Sequence, residues 1–530
     1  MQTAIETWVI ESDSSFCKCC LSCQPLSFRF VVVCPLAGST PWCLYVAVNL
    51  IPARAAMTLL LGTMLSFASR ATEANWPQFR GPGGLGIGAD DAHPPVSFGP
   101  GTNVAWQVAM PAGNSSPIVW GHRIFLTGFA DGKLLTLALD RDTGRELWRR
   151  EVAAEKVEEV HQAYGSPASA TPLTDGERVY VHFGSVGLLA YDLDGKELWR
   201  RPMSLTQTEY GASSSPVLAG GNVVQLLDQD GGSHLVAVDR RTGEVAWRVE
   251  RPEMRRGFGT PIVWEHDGAT DLVVPGTIWL KGLNPRDGTE RWRVSGLARI
   301  TCTSPVVADG MLLTASWTTG GDLNAEHITM PKFDDFLAQY DTNKDGKFSY
   351  EELPPGPMKQ RFKHMDGNRS GFIERAEWET MADIFARVEN QAFAVKPDAK
   401  GRLSDSGVLW RFKKGLPYVG SPIGYRGRFY MVKNGGMLTC LDSQTGRPVY
   451  QEERLGAVGD YYASLVAADG RIYATSQRGV VTVVRAGDAF EVLAHIELGE
   501  AAQASPVPLG DTLLIRTAGH LTAYRQSPAR

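Results

Sequence analysis

The residues best suited to chemistry in this chain are hard oxygen donors set at fixed intervals between positions 341 and 377. Asp341, Asn343 and Asp345 alternate, Gly346 follows, and Lys347, Ser349 and Glu352 complete the set. Calcium takes about six to eight oxygens, and a twelve-residue loop can wrap it from positions 1, 3, 5, 7, 9 and 12. The side chains of Asp341, Asn343 and Asp345 fill the first three places. The Lys347 carbonyl fills the fourth, Ser349 acts through water, and Glu352 closes with both oxygens. Gly346 allows the sharp bend. A second set begins 25 residues later with Asp366, Asn368 and Ser370, then Phe372 through its carbonyl, Glu374 and Glu377. Ser370 is a weaker ligand than Asp, and Glu374 returns the missing charge.

Such loops need helices to hold them. Phe333, Phe336, Leu337 and Tyr340 form an apolar stripe entering the first loop, and Trp378, Met381, Ile384 and Phe385 form one leaving the second. Phe348 and Ile373 occupy equivalent positions, where a short β-bridge joins paired loops. These features make a tandem EF-hand pattern with calcium as its expected ligand. An acidic loop with accidental spacing is the competing explanation, and two complete matches in tandem argue against it. Leu353-Pro354-Pro355-Gly356-Pro357 cuts the middle helices short, which favours a compact structural pair over a wide-opening sensor.

The surrounding chain reads differently. Thr171 to Trp199 holds four short strands divided by Asp175-Gly176, Gly184 to Gly187 and Asp194-Gly195, and Asp-Gly between β-rich runs signals a tight hairpin. The opening of this unit recurs at Ser116-Pro117, Thr171-Pro172, Ser215-Pro216, Thr260-Pro261, Ser304-Pro305, Ser421-Pro422, Ser464-Leu465 and Ser505-Pro506. Most steps are 41 to 45 residues, and the fifth to sixth is 117. The closing half recurs as an Asp, a Thr-Gly or Gly turn and a Trp at Trp148, Trp199 and Trp247, with weaker versions at Trp292 and Tyr450 and a delayed one at Trp410.

Eight copies of a four-stranded unit predict an all-β fold, an eight-bladed β-propeller. The last copy lacks its Trp strand, and Asn103-Val104-Ala105-Trp106 supplies an orphan of that type, so an N-terminal strand should close the ring. An open solenoid of sheets is the runner-up. The expected divisions are a leader at 1–74, propeller at 75–320, a small α-helical EF-hand insertion in blade five at 321–403, and propeller again at 404–530. The Trp rings are expected at seams between blades. An acidic, helix-favouring insertion is expected over Val152 to Tyr164, and extended chain from Asn75 to about Gly101.

A net charge of −5 over 530 residues gives no case for nucleic acid as a partner. Six of the eight cysteines (Cys17, Cys19, Cys20, Cys23, Cys34, Cys43) precede residue 50, without the second ligand pair of a zinc finger. Cys302 and Cys440 fall in different blades. Ala53-Arg54-Ala55-Ala56-Met57 leads into an apolar run, Thr58 to Phe67, then small residues to Ala74. That pattern describes a secretory signal cleaved after Ala71 or Ala74, too short to span a bilayer. A periplasmic or secreted, bacterial, monomeric protein with no membrane span in the mature chain is expected.

The repeat with its Asp, Thr-Gly and Trp ending resembles the pyrroloquinoline-quinone-like (PQQ-like) β-propeller proteins, and Trp76-Pro77-Gln78-Phe79-Arg80-Gly81-Pro82 resembles the mature start of many secreted members. The resemblance implies either a scaffold or a PQQ-dependent quinoprotein dehydrogenase oxidising an alcohol or sugar. The dehydrogenases use calcium beside the quinone, an Asp base and often a disulfide between adjacent cysteines. The blades hold no adjacent cysteines, no Glu, Asn and Asp cluster matches that site, and a haem Cys-x-x-Cys-His is absent. The resemblance therefore implies a noncatalytic binding or scaffold protein first, with catalytic and PQQ-binding residues unassigned.

Segments entering several first strands carry Tyr164, Tyr210, Phe258, Tyr418, Tyr461 and Tyr462, with His161, Arg255 and Arg256 near them. These rings pack between blades or surround a channel mouth that receives a protein or glycan partner. Met57 is the expected true start, so mass spectrometry of the native protein should detect no tryptic peptide from residues 1–56.

Overall fold

The computed structural model describes residues 75–319, 329–396 and 407–526, with backbone pairing alone at a few positions elsewhere. Chain contacts divide it into two units, residues 1–71 and 72–530. In the first, Arg29–Val31 pairs antiparallel with Val46–Val48. The signal-like run, its cleavage sites and the six early cysteines lie outside the described residues, as do 320–328 at the start of the insertion.

In the second unit eight blades of four antiparallel strands follow one another, and blade four gains a short fifth strand at its outer edge. Blade two shows why the sequence folds this way. Its middle strands, Arg178–Phe183 and Gly187–Asp192, are sandwiched between neighbouring blades and buried on both faces, so they read as near-continuous apolar runs. Its outer strand, Glu197–Arg201, buries Trp199 between exposed residues. Val104–Ala109 pairs with His520–Arg525, so the first strand of the propeller completes the last blade.

Blade five corrects one boundary. Gln391–Val395, expected inside the insertion, is the third strand of that blade, between Met311–Ser316 and Val408–Phe412. The helical excursion thus lies between the second and third strands, and a further one follows the third, where Gly401–Arg402 runs parallel to the outer strand of blade four. The expected helix at 152–164 does not form. Val152 and Ala153 finish an outer strand, and the residues after them bury Glu158 against Gly184 of blade two, which a helix would turn away.

Two devices join the blades. The first is a ring of hydrogen bonds. The amide of Ser116 donates to the Thr171 hydroxyl (3.0 Å), and Thr171, Ser215, Thr260, Ser304, Ser421 and Ser464 each repeat this with the next blade. Ser505 donates to Ser116 (3.0 Å), and the circle closes. The second is a Trp over a Gly. Trp199 lies on Gly243 of the next blade and donates its indole N–H to the Arg240 carbonyl. Trp106, Trp148, Trp247 and Trp410 do the same over Gly144, Gly195, Gly288 and Gly446. Trp292 also sits at a seam, in a core with Leu312, Phe393 and Val395 of blade five, but it packs on Gly282 of its own blade and donates to Asp271 (2.7 Å).

Strand direction alternates within a blade. The segments entering first strands and the loops between second and third strands therefore share one face, the mouth, which includes the helical insertion. Its helices are α1 (Phe333–Tyr340), α2 (Pro357–Gln360), α3 (Phe362–Met365) and α4 (Arg375–Arg387). They share an apolar core with Met254, Ile278 and Trp279 of the mouth-side loops. No helix among the described residues is long and apolar enough to cross a membrane.

Gly243 and Gly268 both have positive φ (73° and 72°), but only Gly243 would drive a new Cβ into an indole, 2.7 Å from Trp199. Ala at either site meets a left-handed penalty of about 1–2 kcal/mol, and Gly243→Ala adds an overpacking cost of about 1–3 kcal/mol. Urea unfolding should show Gly243→Ala clearly less stable than Gly268→Ala.

Candidate functional site

The first strands enclose a central cavity of about 420 Å³. The eight ring hydroxyls line it, from Ser116 to Ser505. Each oxygen accepts an amide proton from the preceding blade, and among the described residues none of the eight hydroxyl protons has a protein acceptor. The ring therefore offers O–H donors to whatever fills the cavity.

An aromatic collar stands at the mouth. His161 stacks on Tyr164 with ring centres 4.4 Å apart and on Tyr210 at 5.6 Å. Tyr462 meets Tyr164 edge-on, Phe258 meets Tyr210 likewise, and Tyr418 meets Trp317. Five of the six aromatics singled out in the sequence thus line the cavity together with His161. Tyr461 does not. Neighbouring side chains in extended chain point opposite ways, so Tyr461 is buried with its hydroxyl on the Ala457 carbonyl (2.9 Å) while Tyr462 faces the cavity.

The base is crossed by the extended N-terminal segment. Trp76 exchanges two 2.8 Å backbone hydrogen bonds with Val119 of blade one, and Pro77 accepts from Thr174 of blade two. Gly86 and Gly88 pair with Ala467 of blade seven, and His93 donates to Gly510 of blade eight. Phe79 reaches the cavity from this side. The buried Arg80 guanidinium donates to the carbonyls of Leu85 and Pro422, and burial without a counter-charge pushes its pKa down to about 9.

Glu158 anchors the collar segment that carries His161 and Tyr164. Its amide donates to Ser185 (3.0 Å), and its carboxyl is buried beside Thr206 and the Ala212 amide without a hydrogen bond of ordinary geometry. Desolvation pushes that carboxyl up to about 8. His182, buried with neither ring nitrogen paired, is pushed down to about 3 by the same cause and stays neutral.

The two loops of the insertion are closed by hydrogen bonds from backbone amides to their own polar side chains. Asp341 accepts from the amides of Asp345 and Gly346, and Asn343 accepts from Asp345 (2.8 Å). Glu352 reaches back to the Thr342 and Asn343 amides and to Ser349, which closes the loop end to end. In the second loop Asp366 accepts from Ser370 and Gly371, and Glu377 accepts from Gly367, Asn368 and Glu374. Phe348 pairs with Ile373 and Ser349 with Phe372 across the expected β-bridge. Among the described residues no group of three acidic, imidazole or thiol side chains is gathered as a metal cluster. About half of each loop's donors are instead amide, hydroxyl or carbonyl oxygens, which suits calcium.

The insertion and the collar meet. Arg256 holds Asp230 with both arms (2.6 and 3.1 Å), binds Glu209 (2.8 Å) and lies over the Tyr210 ring. It also reaches Nδ1 of His364 on α3 (2.7 Å). Arg255 lies on the mouth face outside the central cavity, where it donates to the carbonyls of Pro252 and Met254 and faces Gly367 of the second loop. Sequence reasoning missed the buried Glu158 carboxyl beneath the collar and the hydroxyl ring as the cavity wall. The Ser/Thr-Pro recurrence was the available signal for the ring.

A family profile described as outer membrane protein assembly factor BamB matches residues 96–274, and an EF-hand profile matches 333–353 and 358–382. The outer membrane protein assembly factor BamB of Kangiella koreensis is 30% identical over 138 residues, 26% of this chain and 32% of that protein. Its namesake from Yersinia pestis is 28% identical over 212 residues, 37% of this chain and 50% of that protein. The chain thus spans a third to a half of the length of these curated relatives. Among solved structures, BamB from Moraxella catarrhalis aligns over 80% of this chain and 99% of its own at 11% identity and a TM-score of 0.49. A quinohemoprotein alcohol dehydrogenase from Pseudomonas putida HK5 aligns over 86% and 82% at 13% identity and a TM-score of 0.38. The chain therefore carries BamB-like repeats and an EF-hand pair.

The native state holds the Glu158 proton up to about pH 8, whereas an unfolded carboxyl releases it near 4.5. The stability conferred by protonation is complete below 4.5 and lost as pH rises through 8. Glu158→Gln removes this dependence. Its stability gain over wild type should grow between pH 5 and pH 9, by no more than ~1.4 kcal/mol per pH unit, in unfolding followed by circular dichroism.

Proposed function

We propose that this protein is an exported, calcium-binding β-propeller that takes a ligand or partner at the mouth of its central cavity without transforming it. The observation that carries this reading is the cavity with one dressed entrance. Aromatic rings stand at the mouth, hydroxyl donors line the wall, and Phe79 with the N-terminal segment crosses the base. A concave site with apolar faces and a few convergent polar groups is the usual form of a small-molecule pocket.

Calcium belongs to the insertion. Asp341, Asn343, Asp345, the Lys347 carbonyl, Ser349 and Glu352 would hold one ion. Asp366, Asn368, Ser370, the Phe372 carbonyl, Glu374 and Glu377 would hold another. The ions would fix the helices against the mouth-side loops and supply no chemistry to the cavity. The name of the curated relatives, assembly factors of outer membrane proteins, supports a scaffold role in a periplasmic or secreted setting.

The alternative is a PQQ-dependent oxidoreductase. Asp460 is the carboxylate among the described cavity residues, and the Tyr462 hydroxyl contacts it at 3.3 Å. Cys302 and Cys440 are separate free thiols, so the blades have no adjacent pair to carry a flat cofactor. Calorimetry of the full chain should find two calcium ions bound, falling to one in Glu352→Gln, and no stoichiometric uptake of PQQ. Stoichiometric uptake with dye-linked oxidation of an alcohol or sugar overturns the noncatalytic reading.

A further inference from the structure

The central cavity is lined by one carboxylate, Asp460, and by neither Lys nor Arg among the described residues. Asp460 lies two residues before Tyr462 in the segment entering blade seven. The Tyr462 hydroxyl, at 3.3 Å, makes the only hydrogen bond to that carboxylate among the described residues. From Tyr462 a chain of ring contacts runs round the mouth. Tyr462 meets Tyr164 edge-on with ring centres 5.4 Å apart, and His161 stacks on both Tyr164 and Tyr210. Phe258 continues from Tyr210 at 5.9 Å. Tyr462 and Tyr418 make only edge-on ring contacts among the described residues, so each keeps at least one face uncovered by another ring. The cation that touches this collar, Arg256 over the Tyr210 ring, lies outside the cavity lining and is neutralised by Asp230 and Glu209.

A carboxylate without a cation, set in a collar of aromatic rings, attracts positive charge twice over. The charge itself attracts, and the π-face of each ring carries the negative end of a quadrupole. The balance of groups also selects the kind of cation. A primary ammonium brings three N–H donors that need acceptors, and Asp460 already receives the Tyr462 hydroxyl. An alkylated ammonium brings none, and its methyl groups pack on rings. Below the collar the Ser and Thr hydroxyls offer protons to an oxygen at the ligand's other end. We propose that the mouth binds an alkylated ammonium of the choline type, with its cationic head among the collar rings beside Asp460 and its oxygen towards the hydroxyl ring. The inference rests on the proposed ligand-binding role of the cavity and names the class of ligand.

The test is calorimetry of the calcium-loaded full chain with choline, with ethanolamine, and with the neutral alcohol in which a carbon replaces the choline nitrogen. Wild type should bind choline about tenfold or more tighter than the neutral alcohol, and tighter than ethanolamine. Asp460→Asn keeps an acceptor for Tyr462 but loses the charge, and should weaken choline about tenfold while leaving the neutral alcohol unchanged. Tyr418→Leu keeps an apolar side chain but loses the ring, and should weaken choline about threefold. Raised salt should weaken choline alone. Thermal unfolding and calcium stoichiometry of both variants should match wild type, and the comparison of the three ligands on wild type stands without either variant. Equal binding of choline and the neutral alcohol, tighter binding of ethanolamine, or no binding of choline overturns the inference. So does an Asp460→Asn variant that binds choline as wild type does. Quinone uptake in the same instrument would instead remove the noncatalytic reading beneath it.

Discussion

The structure depends on eight hydroxyl oxygens held in a circle. Each inner strand enters the centre with a backbone amide that has no partner in its own sheet, because it lies ahead of the first ladder bond. A buried amide left without an acceptor costs about 1–3 kcal/mol, and the Ser or Thr at the same point of the next blade removes that cost eight times over. The arrangement also fixes the residue type. The side chain must be short enough to stay at the wall, must accept a proton, and must leave its own proton free. Ser and Thr satisfy all three. The feature that assembles the blades is thus also the inner surface of the cavity.

Away from the centre, each outer Trp needs a bare backbone opposite it. Gly144, Gly195, Gly243, Gly288 and Gly446 provide this and adopt positive φ where the turn demands it. Blade five is interrupted by two excursions, yet its four strands pair in the usual order, with the same bulge between third and fourth strands that blades one to four show. The loop between second and third strands points out of the ring at the mouth face, where added residues leave the ladder intact. The insertion gains its own core and borrows Met254, Ile278 and Trp279 from the propeller.

Much of this was legible from sequence because the determinants are local and repeated. Asp-Gly turns, Ser/Thr-Pro starts and Trp strands recur at nearly constant spacing, and the blade count, the closing strand and the paired calcium loops follow from them. What the sequence hid was set by contacts between distant segments. Val152 to Tyr164 has helix-favouring composition, but the strand that ends at Ala153 and the burial of Glu158 against Gly184 of the next blade override it. Gln391–Val395 is a short apolar run flanked by helix and charge, and its membership of blade five rests on pairing with Met311–Ser316, 75 or more residues before it, and with Val408–Phe412 after it. Tyr461 and Tyr462 differ only in which way an extended backbone points them.

Closure by the first strand has a consequence in time. Val104–Ala109 is the earliest part of the propeller to leave the ribosome, and its partner, His520–Arg525, is the latest. Pairings so distant along a chain are slow to form, although the entropy of closing so long a loop grows only with the logarithm of its length. Until that pairing forms, the third strand of blade eight is an open edge with unpaired amides and carbonyls. Proteolytic loss of the segment before Met110 would make that interval permanent. The remaining seven blades would be complete, and the eighth would be ready to recruit the same strand from another molecule.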